Sequence, residues 1–145
     1  MKTNDTVKLF SLFHAKYGHR WTSAYPDAGI IRLAVDVWTK ALADFPDEWI
    51  AKGTDDWKGD WPPSLPEFQK VCLPAFKELG IDIFKMAEKR ASGGDMFKWR
   101  RLPAETQDRL YTRAESEIIA EVQEMVISKP GEHAAKALEA PNGEI

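Results

Sequence analysis

The chain has one cysteine, Cys72, so it can close no internal disulfide and cannot supply a metal site that needs two thiolates. A reducing cytoplasm is the expected setting. Histidine is equally sparse: His14, His19 and His133 lie apart, and none has a second histidine three or four residues away, as a zinc-binding helix requires. Adjacent glycines occur only at Gly93-Gly94, without the lysine and hydroxyl that complete a phosphate loop. No stretch approaches the ~18 apolar residues of a membrane span, and the opening MKTNDTVKLF lacks the apolar run of a signal peptide. No segment alternates with the period of a strand, and no repeat recurs at solenoid spacing. A net charge of −3 leaves the chain neither a general polyanion binder nor a nucleic-acid mimic. The acidic run Asp55, Asp56, Asp60 lacks the calcium-loop pattern that ends in a glutamate. No metal, no cofactor and no enzymatic activity are expected.

What is present is helical periodicity. Leu9, Phe10, Phe13 and Tyr17 recur at helix spacing, with Asn4 or Asp5 as the cap and Gly18 as the stop. HRWTSAYPD reads as a connection. The best amphipathic stretch follows, with Ile30, Ala34, Val37, Trp38, Ala41, Leu42 and Phe45 as its stripe, and it ends at Pro46. Asp47 to Lys52 is expected as a further short turn closed by Gly53. After the loop GTDDWKGDWPP, Ser64 and Glu67 form a capping box, with Pro66 in the first helical turn. Phe68, Val71 and Cys72 share a face, and Ala75, Phe76 and Leu79 continue it past a break at Pro74. Cys72 on that face reads as a buried, inert thiol. Ile81 to Ala91 is expected to turn Ile83, Phe84 and Ala87 inward. A long helix from Pro103 to about Ser128 carries the stripe Leu110, Ala114, Ile118, Val122 and Met125. The expected fold is all-α: a compact bundle of about five to six helices over residues 1–128, with a flexible tail over 129–145.

Charge is unevenly placed. Residues 1–60 carry 8 Lys/Arg against 9 Asp/Glu, residues 61–102 carry 8 against 5, and residues 103–145 carry 4 against 9. The positive excess lies at Lys85, Lys89, Arg90, Lys98, Arg100 and Arg101, with Phe97 and Trp99 interleaved among the last three. Lys98, Trp99, Arg100 and Arg101 are therefore candidates for weak single-stranded DNA binding, the cations meeting phosphates and the indole stacking on a base. The acidic last helix is positioned in sequence to neutralise that patch in cis.

The stretch WKGDWPPSLPEFQKVC carries a more specific signal. Trp61, Pro62, Pro63, Ser64, Leu65, Pro66, Phe68 and Cys72, together with Trp38 and the Tyr17-Gly18-x-x-Trp21 stretch, resemble the phage replication protein P family, the lambda-type helicase loaders. The resemblance covers roughly residues 7–80, leaving residues 81–128 as C-terminal helices outside it. It implies a non-enzymatic adaptor in the cytoplasm of a host cell, binding the host replicative helicase to load or inhibit it and meeting a phage origin-binding initiator. The candidate partner-contact residues are Trp57, Trp61, Phe97, Trp99, Arg100 and Arg101. The alternatives are a small phage-encoded inhibitor of another host system, such as a nuclease or defence complex, and a single-strand binder.

Overall fold

The computed structural model describes residues 1–139. Among them are nine helices: α1 (Thr3–Tyr17), α2 (His19–Ala24), α3 (Ala28–Ala41), α4 (Asp47–Asp56), α5 (Leu65–Cys72), α6 (Ile83–Ser92), α7 (Met96–Arg100), α8 (Ala104–Ser128) and α9 (Pro130–Glu139). The all-α expectation holds, with more and shorter helices than the stripes suggested. The described residues form two compact units, one of residues Met1–Leu73 with Lys129–Glu132, the other of Pro74–Ser128 with the described residues from His133.

The first unit is built on an aromatic core. Phe10 meets Trp21 and Trp38 edge-on, with ring centroids 5.1 and 5.2 Å apart. Phe13 and Trp38 both reach Phe68 of α5, at 5.9 and 5.4 Å. Such offset and edge contacts add to the area each ring buries. The one buried polar side chain among the described residues, Thr6, is matched by the Thr39 hydroxyl at 2.7 Å, and Thr39 lies 2.7 Å from the Val35 carbonyl, to which it can donate. α4 and α5 touch backbone to backbone at Gly53: a β-carbon there would strike Cys72 Sγ and lie 3.1 Å from its Cα. That is why α4 contains a glycine and runs through it to Asp56, where a stop after Lys52 was expected.

In the second unit α6 lies along α8, with Ala87 fully buried and Ala114, Ile118 and Val122 forming the buried stripe of α8. Small side chains at the contact let two helices approach closely.

Several expectations are corrected. His19–Ala24 is a helix, not a connection: Gly18 at φ 55 turns the chain, and Trp21, 3% exposed, anchors the short segment among aromatic rings. The first helix starts at Thr3, so neither Asn4 nor Asp5 is its N-cap; the Asp5 carboxylate instead accepts from the Lys2 amide. Helix α5 ends at Cys72, and Pro74 onward is a run of tight turns, their amides bonding three residues back, from Glu78 to Ala75, Leu79 to Phe76 and Gly80 to Lys77. Proline supplies no amide hydrogen for a continuing helix. Ile30 and Val37 of α3, Phe84 of α6 and Met125 of α8 are exposed, not core. On α3 the core lies on Val35 and Trp38, one flank of an apolar face too wide for the neighbours that cover it. MFKWR is a one-turn helix, α7, capped by the Asp95 carboxylate. The segment expected as a tail begins with α9, and residues 140–145 lie outside the described ones.

Candidate partner-binding surface

The corner between α4 and α5 is held by side chains where a helix or sheet would use backbone. Four consecutive-neighbourhood carbonyls accept bonds from side-chain donors: Lys16 Nζ to Trp57 O at 3.3 Å, Tyr17 Oη to Gly59 O at 3.1 Å, Arg20 to Asp60 O at 2.5 Å, and Trp57 Nε1 to Trp61 O at 3.0 Å. The loop is solvent-exposed, and three of the four donors that cross to it come from α1 and α2. Gly59 is required because a β-carbon would sit 2.5 Å from the Trp57 ring. The loop then delivers into the expected capping box: Glu67 N donates to Ser64 Oγ, and Ser64 N to Glu67 Oε1 at 2.9 Å. Those bonds from Ser64 hold the Glu67 carboxyl below the ordinary carboxylate range.

Trp61 is the large apolar side chain exposed at this corner. Its ring is 55% exposed, backed by the Arg20 guanidinium 5.4 Å from the centroid. Trp57 is half-buried and serves the loop itself. Lys16, Arg20 and the loop-holding role of Tyr17 escaped the sequence reading because they act across forty or more residues of chain. Only the Tyr17-Gly18-x-x-Trp21 part of the family-like pattern pointed near them. Cys72, behind the corner, is buried, and burial pushes its thiol up to about 12, so it stays protonated and unreactive near neutrality.

The remaining candidates belong to the second unit. Trp99 is corrected: it is 8% exposed, and its carbonyl accepts from Gln107 Nε2 at 2.7 Å, so its ring offers no face for stacking or contact. The exposed aromatic is Phe97, at 67%, with the Arg101 guanidinium 4.2 Å over its ring. Lys98 and Arg100 are exposed on the same single turn. Phe97, Lys98, Arg100 and Arg101 thus make a small cationic aromatic knob. Arg90 does not extend it. The two carboxylate oxygens of Glu121 take its guanidinium at 2.5 and 2.7 Å, with Glu117 at 3.7 Å. Of the six cations singled out in the sequence, Arg90 is the one that the acidic long helix pairs among the described residues; Lys85, Lys89, Lys98, Arg100 and Arg101 are not ion-paired there, so the expected neutralisation reaches a single residue of the patch.

A further surface went unread in the sequence: Ile30, Leu33 and Val37 form an exposed apolar row on α3, Leu33 being 66% exposed. No family model, curated protein or solved structure matches the chain.

Proposed function

We propose that the protein is a non-enzymatic adaptor that binds a host replicative helicase, loading it or holding it inactive, in the manner of the phage replication protein P family that residues 7–80 resemble. The observation that carries this reading is the Trp57–Ser64 corner. Lys16, Tyr17 and Arg20 bond the carbonyls of Trp57, Gly59 and Asp60, just ahead of the residues 61–72 that bear the resemblance, and Trp61 itself stands exposed at that corner. An exposed tryptophan on a preorganised scaffold is what a binding hot spot requires, because little entropy is lost when it is buried by a partner.

The test is size-exclusion chromatography with light scattering on a mixture of the protein and the host's hexameric replicative helicase. A co-eluting complex of defined stoichiometry, with altered ATPase activity, is expected, and Trp61→Ala is expected to dissociate it. Two folded partners that elute separately would discard the helicase reading and move inhibition of a nuclease or defence complex to the front.

A further inference from the structure

Helix α6 carries cations on two edges, and only one edge is met. Arg90 is gripped by Glu117 and Glu121, two carboxylates spaced i, i+4 on α8. Lys85 and Lys89, themselves spaced i, i+4, face outward, both exposed and neither ion-paired among the described residues. Like charges at that spacing destabilise a helix unless something of opposite sign covers them.

Beside these lysines lies a concavity of about 540 Å³ lined by Met86, Lys89, Arg90, Gly93, Gly94 and Ile118. Ile118, at 4% exposed, is its floor, and Met86, at 41%, is its flexible apolar rim. Gly93 and Gly94, at φ 67 and 87, turn the chain away at one end, and side chains there would meet open space, so the end of the groove stands clear.

We infer that this groove binds an acidic amphipathic helix of a partner protein. Its apolar side chains seat on Met86 at the exposed rim, and its carboxylates, spaced as on α8, meet Lys85 and Lys89. The grip of Glu117 and Glu121 on Arg90 is the same recognition made within the chain. The groove favours a peptide over a nucleic acid strand, because its floor is aliphatic and holds no aromatic face on which a base could stack. The inference goes beyond the helicase reading and stands whichever protein supplies the helix.

The test uses the full chain and a fluorescent amphipathic peptide of about 20 residues, long enough to form helix, with glutamates at i and i+4 beside a leucine stripe. A glutamine version of the peptide and an oligothymidylate are the comparison probes, read by fluorescence anisotropy. The glutamate peptide is expected to bind, to weaken about tenfold with Lys85→Gln/Lys89→Gln, and to lose binding when its own glutamates become glutamine. Both lysines are exposed and alike in charge, so the variant is expected to melt at the parent's temperature or slightly above it. Failure of the glutamate peptide to bind overturns the inference, as does binding indifferent to the lysines or to the peptide's charge. Oligothymidylate binding that depends on Lys85 and Lys89, without peptide binding, would assign the edge to nucleic acid instead.

Discussion

Tryptophans in this chain divide by what they touch. Trp38 lies among Phe10, Phe13 and Phe68 and is 4% exposed, so Trp38→Ala is expected to cost about 3–5 kcal/mol, read from denaturant unfolding. Trp99 and Phe97, two positions apart, behave oppositely because successive helical residues point about 100° apart. Trp99→Ala is expected to cost about 3 kcal/mol, and Phe97→Ala to stay within about 0.5 kcal/mol, since one ring is buried and the other exposed. Equal losses would mean that Phe97 is packed after all. Trp61→Ala removes an exposed ring that backs onto Arg20, so little stability is lost and the effect is expected in partner binding.

At the scale of elements, caps and close approaches decide where helices begin, end and meet. Ser64→Ala removes one half of a capping box and is expected to lower stability by about 1 kcal/mol, measured by thermal melting. The Glu67 half carries a pH signature. Its carboxyl is held below its ordinary value by Ser64, so its contribution is full above the ordinary carboxylate range and fades as pH falls through the lowered folded value. Glu67→Gln is therefore expected to flatten the acid limb of the melting-temperature profile, and an unchanged limb would count against the box. Between α6 and α8, Ala87 is fully buried against the long helix, so Ala87→Leu overpacks the contact and is expected to cost about 1–3 kcal/mol in the same measurement.

For the molecule as a whole, the two compact units each have buried residues of their own, the aromatic set of α1–α5 and the stripe of α6 and α8. Local stability follows such sets. Trp38→Ala is expected to lower amide protection across α1–α5 more than across α6 and α8 in native-state hydrogen exchange. Uniform loss would mean that the chain opens as one cooperative body. The candidate surfaces divide the same way, with the Trp61 corner in the first unit and the Phe97 knob and α6 groove in the second.

Local signals were sufficient wherever the cause was local. The capping box at Ser64, the stop at Gly18, the Ala114, Ile118 and Val122 part of the α8 stripe and the helical class all follow from side chains acting within a turn or two of themselves, and they were legible in the sequence. Short helices were not, because a six-residue segment such as α2 has too few positions for a periodicity and is held by Trp21 among distant rings. The apolar width of α3 was visible, but which flank is core depends on where α1 and α5 pack. Which tryptophan is buried and which projects was likewise decided only by the tertiary structure. Trp61 is exposed because Tyr17 and Arg20, some forty residues earlier, hold the backbone beneath it, and a bond across that distance exists only once the chain has folded.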